Sequence, residues 1–333
     1  VIYHYPNTTV SALNKALVTI RDTAGSSALG RVLTLVIATE PGAAEEAIIA
    51  AEGAAREHPL RVIVLSTVSV SVSGGPHLDG EIRLGGESGP SEVILLTAHG
   101  TAADDQEALV TGLLLPDAPV IAWWPGQAPE RVAQSSLGRI AARRITDSRA
   151  QPAPVEDLSR LSRGYTPGDS DLAWTRLTLW RNQLAAVLDP PASATVTHVD
   201  IEGADDSSSV VLLAAWLKLQ LQVPVLLLMS TRESGAAGIY RVRLHSATGV
   251  VDLHRSLPAP ALLNQPDQPA QNVSLPRRSL LECLTEELRH QGADTLYGDV
   301  ITSGLAQLLS SDGAWDHNEN TRIPDGVDPY AYV

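Results

Sequence analysis

Short runs of consecutive apolar residues alternate along this chain with stretches where apolar side chains recur every three or four positions. The first pattern suits strands buried on both faces, the second helices with one buried stripe. The plainest run is Val120-Ile121-Ala122-Trp123-Trp124, fenced by Pro116, Pro119 and Pro125. Proline cannot donate to a sheet ladder, so these prolines set the limits of a strand. Successive side chains on a strand point to opposite faces, which sends Trp123 and Trp124 apart. One is expected in a core. Trp124 is expected at the carboxyl rim, where α/β proteins place ligands and partners.

The same reading predicts strands over 31–39, 61–72, 81–84, 92–98 and 143–147. It predicts helices over 9–22, 43–57 and 104–114, with a looser helical stretch over 128–142. Strands alternating with helices imply βαβ units and a mainly parallel sheet with flanking helices. Residues 147–155 read as a linker, separating an N-terminal α/β domain at 1–150 from a second α/β (or α+β) domain at 151–310. In the second, 169–188 reads as the best helix, capped by Asp169, Ser170 or Asp171 and ended by Pro190-Pro191. Further helices are expected over 157–163, 206–221, 277–290 and 294–309. Strands are expected over 195–201 and 223–229, with a meander over 240–253 and an edge at 272–275. The polar tail 311–333 is expected to be poorly ordered unless Trp315, Tyr330 and Tyr332 tie it down.

Composition narrows the function classes. A net charge of -14 disfavours nucleic acid or an anionic membrane as partner, because phosphate backbones require a basic surface. No apolar run is long enough to span a bilayer. With no Phe at all, the core must be aliphatic, and each of the six Trp stands out. The single cysteine, Cys283, excludes an intrachain disulfide and fits a reducing, cytoplasmic compartment. The first residues carry neither a basic nor an apolar signal region, so no secretory signal is expected.

No catalytic set emerges. Gly85-Gly86-Glu87-Ser88-Gly89 lacks the lysine of a P-loop, and its glutamate would repel phosphate, so it reads as a turn between strands. The nine histidines are dispersed. His77-Leu78-Asp79 lacks the helical i, i+4 spacing of zinc sites, so no metal ligand and no cofactor is assigned. His99 follows a strand, where an ordinary loop histidine and a site residue are both found. Cys283 lies among leucines and reads as an inert buried thiol. Arg277 and Arg278 fall at the start of a predicted helix, where cations oppose the dipole. A phosphate ligand, an acidic partner surface or simple exposure would account for them, and Arg143-Arg144 poses the same choice. Trp174-Thr175-Arg176 and Trp180-Arg181 combine the two residue types enriched at interface hot spots. The candidate partner contacts are therefore Trp124, Arg143, Arg144, Trp174, Arg176, Trp180, Arg181, Arg277 and Arg278.

These segments resemble the OpcA family, the glucose-6-phosphate dehydrogenase assembly proteins of actinobacteria and cyanobacteria. The resemblance rests on residues 9–21, 29–38, 56–64, 113–126, 143–147, 164–176 and 276–284, in the same order. It implies N- and C-terminal family segments. It also implies a non-catalytic role in assembling or activating glucose-6-phosphate dehydrogenase, which feeds NADPH production in the oxidative pentose phosphate pathway. Cyanobacterial members are linked to thiol redox control, which one cysteine could not deliver through an intrachain disulfide. The tail after Ser310 lies outside the resemblance. A reading of another class also stands: a sugar-phosphate or nucleotide sensor, or a cryptic α/β enzyme, resting on the architecture, His99 and the arginine pairs.

Overall fold

The computed structural model describes residues 1–24, 32–68, 75–86, 89–189, 195–230, 238–255, 260–290, 292–310 and 315–316. Two compact units result. Unit 1 comprises Val1–Ala150, Thr166–Leu172 and Ser279–Asp294; unit 2 comprises Gln151–Tyr165, Ala173–Arg278 and Thr295–Val333. Among the described residues no helix is long and apolar enough to cross a membrane.

Unit 1 is built on eight strands: β1 (Ile2–Thr8), β2 (Leu33–Thr39), β3 (Leu60–Val68), β4 (His77–Gly86), β5 (Gly89–His99), β6 (Val120–Trp124), β7 (Arg143–Thr146) and β8 (Asp169–Asp171). Their order is β1-β4-β5-β3-β2-β6-β7-β8. Pairing is parallel from β5 across to β8 and antiparallel at β1-β4-β5. The run Val120–Trp124 is a strand buried along its whole length, within the proline fence. Trp123 enters a core with Leu35, Ile37, Val62 and Val64 from neighbouring strands. Truncating such a side chain costs about 3–5 kcal/mol.

Helices α1 (Val10–Ala24), α2 (Glu45–Ala54), α3 (Gln106–Thr111), α4 (Ser136–Ile140) and α9 (Leu280–Arg289) complete unit 1. Helix α9 comes from far along the sequence and packs on α2. The approach is close because Gly53 has no side chain: a Cβ there would meet Leu281 at 2.7 Å. Cys283, Leu284 and Leu288 join the core on that face, so the thiol is buried.

Unit 2 carries β9 (Val196–Ala204), β10 (Val225–Ser230), β11 (Ile239–Ser246), β12 (Gly249–His254), β13 (Ala261–Asn264), β14 (Gln271–Val273) and the two-residue β15 (Trp315–Asp316). The order is β14-β13-β12-β11-β9-β10-β15, antiparallel from β14 to β9 and parallel thereafter. Its helices are α5 (Pro154–Gly164), α6 (Leu172–Thr175), α7 (Thr178–Leu188), α8 (Ser208–Leu221), α10 (Thr295–Asp299) and α11 (Leu305–Leu309). Helix α8 is buried nearly all round, from Val210 to Leu217. One π turn, Val300–Gly304, packs on it, and Gly304 allows this because a Cβ would meet the Ala215 carbonyl at 2.8 Å. The two sheets meet the expectation of a mainly parallel α/β sheet followed by a second α/β (or α+β) one.

Several elements differ from the sequence reading. Residues 169–188 are not one helix but β8, α6 and α7. The cap-like Asp171 is instead buried in unit 1, accepting from Thr146 Oγ1 at 2.7 Å and Ser148 Oγ at 2.8 Å. The stretch 128–142 holds only a 3-10 turn (Val132–Gln134) and α4. Strands β1 and β13 were not expected: β1 is largely exposed and lacks a buried-run pattern. Helix α9 begins after Ser279, whose hydroxyl accepts from the Glu282 N–H while Glu282 accepts from the Ser279 N–H. Arg277 and Arg278 therefore precede the helix rather than forming its first turn. Of the tail, Trp315–Asp316 pairs with β10; Tyr330 and Tyr332, like residues 69–72 and Glu87-Ser88, lie outside the described residues.

Two buried ion pairs mark unit 1. Arg61 Nε lies 2.6 Å from Glu92 Oε1 between β3 and β5, and Arg143 Nη2 lies 2.6 Å from Glu287 Oε2 between β7 and α9. Removing one partner of such a pair leaves a buried charge, at about 3–5 kcal/mol. Arg143→Ala is therefore expected to lower stability by about that much in urea unfolding, and Arg61→Ala likewise. The double change Arg61→Met with Glu92→Leu is expected to recover most of the loss, because no lone charge remains.

Candidate functional site

The parallel sheet of unit 1 has a switch point. From β2 the chain runs through α2 to β3 on one side; from β5 it returns through α3 to β6 on the other. Connections that diverge in this way leave a crevice outside the carboxyl ends of the two central strands. A cavity of about 390 Å³ lies there. Thr39 ends β2, Thr67 comes from β3, and Trp124 ends β6, with Gln106 and Gln127 adding amides. Trp124 thus occupies the rim expected for it, yet it is only 4% exposed, so its ring is a wall rather than a projecting contact.

The charge of this crevice limits its chemistry. Among the described residues, its lining includes Glu40 and Glu130 and no Lys or Arg. Helix α2 beside it carries Glu45 and Glu46 in its first turn, where carboxylates already complement the dipole. A phosphate placed as in dinucleotide folds would face these acids. The walls suit a neutral, hydroxyl-rich or cationic molecule instead.

The adjacent arginines of β7, Arg143 and Arg144, are buried. Arg143 is 2% exposed; besides Glu287 it donates to the His290 carbonyl at 2.7 Å and toward Ser170. Arg144 donates to Asp169, to the Ala141 carbonyl at 2.9 Å and to the Pro167 carbonyl at 2.8 Å. Burial lifts the Asp169 carboxyl above its usual range, against the opposing pull of Arg144. Both arginines fasten strand ends and α9 to the sheet. Both guanidiniums are buried, at 2% and 7% exposure.

Unit 2 arranges its candidates differently. Trp174 and Trp180 are core residues, at 1% and 2% exposure. Arginines lie over them: the Arg181 guanidinium sits 3.7 Å from the Trp174 ring centre and that of Arg255 5.2 Å from Trp180. Such stacking holds each charge in place. Arg278 donates to the Thr175 carbonyl at 2.7 Å, bringing residues 276–278 to the same place. Arg277, next to it, is exposed, and Arg176 is half-buried. Burial, helped by the charge of Arg277, pushes the Arg255 guanidinium down to about 10. The tryptophans thus lie buried beneath arginines. Arg176, Arg181, Arg277 and Arg278 with Arg255 make this face cationic in a chain of net charge -14.

Sequence reasoning missed Arg255 and two His–Asp–His groups. His77, Asp79 and His99 meet in unit 1, and His198, Asp200 and His245 in unit 2. A signal was present: His77-Leu78-Asp79 and His198-Val199-Asp200 share a two-residue spacing, which on a strand puts both side chains on one face. The third member comes from a neighbouring strand, whose register the sequence does not declare.

Comparison with known proteins adds the family. Residues 51–163 match the N-terminal domain of the glucose-6-phosphate dehydrogenase subunit, and residues 167–301 match its C-terminal domain. Comparison with curated proteins gives no match. Among solved structures, the chain is similar to KijD10, a 3-ketoreductase from Actinomadura kijaniata, at 11% identity. That match covers 82% of this chain and 90% of that one, with a TM-score of 0.40. It is also similar to UDP-N-acetylglucosamine 3-dehydrogenase GnnA from Acidithiobacillus ferrooxidans, at 7% identity. There the coverage is 85% and 99%, and the TM-score again 0.40. Likeness this low carries no argument about activity or cofactor. On the two consecutive domain matches, the chain belongs to the OpcA-type family of glucose-6-phosphate dehydrogenase subunits.

Proposed function

We propose that this chain is a non-catalytic, cytoplasmic protein that binds glucose-6-phosphate dehydrogenase and supports its assembly or activation, and with it NADPH supply. The observation that carries the reading is the pair of family matches, N-terminal domain then C-terminal domain, over residues 51–163 and 167–301. To activate, such a protein must bind the competent state of its partner more tightly than the incompetent one. A coupling of about 1–3 kcal/mol, or roughly 5–150-fold, is an ordinary size for such an effect.

For the docking face we propose the arginine–tryptophan surface of unit 2. The guanidinium groups of Arg181 and Arg255 are held over buried indoles, so little side-chain freedom is lost on contact. An acidic surface on the dehydrogenase is the complement such a face selects. The competing reading, a sugar-phosphate or nucleotide sensor, would place its ligand in the unit 1 crevice. The carboxylates there and the absence of lysine and arginine among its described lining residues weigh against it.

Three measurements check this. Adding the chain to the purified dehydrogenase is expected to raise its activity or its native mass, with no dehydrogenase activity of its own. Arg277→Glu, on an exposed side chain, is expected to weaken that effect about tenfold or more while the circular dichroism spectrum of the folded chain is retained. Equal potency of wild type and variant would remove this face from the interface. Glucose 6-phosphate at millimolar concentration is expected to leave the melting temperature of the isolated chain unchanged; a rise of several degrees would favour the sensor reading.

A further inference from the structure

The group in unit 1 made of His77, Asp79 and His99 has the geometry of a metal site. His77 and Asp79 stand two residues apart on β4, and His99 on β5 lies directly across from His77 in the antiparallel register. All three therefore project from one face of the sheet. The imidazole rings stack with centres 4.2 Å apart and planes 7° apart. Each turns Nε2 toward the same carboxylate oxygen: His77 Nε2 is 3.5 Å and His99 Nε2 3.3 Å from Asp79 Oδ2. Ligand atoms about 2.1 Å from a tetrahedral ion are separated by roughly 3.4 Å, so these spacings already match the edges of such a polyhedron.

Hydrogen bonding leaves His77 Nε2 and Asp79 Oδ2 as facing donors to a cation. His77 Nδ1 lies 2.9 Å from the Gly75 carbonyl oxygen, which can only accept, so Nδ1 carries the proton. In neutral His77 the lone pair then resides on Nε2 and faces the lone pairs of Asp79 Oδ2. Asp79 is itself held in place: its Oδ1 accepts the Asn7 N–H at 2.8 Å, which Asn7 delivers from a left-handed backbone with φ 47°. A ring nitrogen donating to a carbonyl and a carboxylate fixed by a second donor are the outer supports that ligating groups carry.

The second group differs. His245 Nε2 lies 2.9 Å from Asp200 Oδ2, but Arg243 Nε is 3.6 Å from that same oxygen. A guanidinium already neutralises the carboxylate there and would repel a cation.

We infer that His77 Nε2, Asp79 Oδ2 and His99 Nε2 bind a divalent transition-metal ion of the zinc class. Three protein ligands leave a fourth position for water or for a donor from outside the chain, as in open rather than closed zinc sites. The side chains are 24%, 41% and 18% exposed, so such a donor has access. Ion binding here does not depend on whether the chain docks on the dehydrogenase.

The test uses the untagged full-length chain, stripped with a chelator and dialysed into metal-free buffer. Calorimetric titration with Zn²⁺ is expected to show one equivalent bound, and Co²⁺ is expected to give a visible d–d band of low-symmetry coordination. His99→Ala and Asp79→Asn are expected to weaken Zn²⁺ binding at least 100-fold, and His245→Ala to leave it unchanged. Should His99→Ala fail to fold, His77→Gln at the strand end carries the same expectation. No heat above the buffer blank, or binding that survives these changes, would overturn the site; so would binding lost only in His245→Ala.

Discussion

Unit 1 closes around a buried ion pair, Arg143 with Glu287. Both side chains are almost wholly removed from water, so each ion is tolerable only while the other is present. The pair sits at the junction of β7, β8 and α9, with the Ser170 hydroxyl donating to the same Glu287 oxygen at 2.9 Å. It therefore couples three segments from distant parts of the sequence: 143–146, 169–171 and 280–289. With α9 fastened, its apolar face can close over α2 beside Gly53, and Cys283 is sealed into the core. The covalent order of the chain makes this unit discontinuous, and a desolvated ion pair with its hydrogen bonds is what specifies the closure.

Arginine serves two different ends in this protein. In unit 1, Arg61, Arg143 and Arg144 are interior fasteners matched to Glu92, Glu287 and Asp169. In unit 2, Arg181 and Arg255 lie on tryptophan rings, Arg277 sits close enough to Arg255 to depress its guanidinium, and Arg277 is exposed. A guanidinium can do both because it is planar, always charged near neutral pH and weakly hydrated. The carboxylate-lined crevice and the cationic face thus favour opposite classes of ligand, which is why the partner reading and the sugar-phosphate reading separate so cleanly.

Much of the fold was legible because burial on both faces leaves a mark in the sequence. The runs that became β2, β3 and β6 are mostly apolar, and Trp123 and Trp124 diverge as alternation requires. The strand Asp169–Asp171 was illegible for a physical reason: Asp-Ser-Asp is also a helix cap, and only the waiting Thr146 and Ser148 hydroxyls decide against it. The start of α9 was legible in principle, since Ser279 and Glu282 have the spacing of a reciprocal cap, but the preceding arginines drew the boundary too early. Side-chain fate was less accessible than backbone. Arg143-Arg144 and Arg277-Arg278 are the same dipeptide, and only tertiary structure buries the first. The His77–Asp79–His99 group needed the β4–β5 register, which no local pattern encodes.

If the chain docks on glucose-6-phosphate dehydrogenase through the cationic face of unit 2, contact must shield that face from solvent. Hydrogen–deuterium exchange of the chain, alone and with saturating dehydrogenase, reads this shielding segment by segment. Slowed exchange is expected in α6, in the first turn of α7 and in 276–278, with the unit 1 crevice unchanged. Unaltered exchange in those segments, with protection elsewhere or nowhere, would rule out docking through this face.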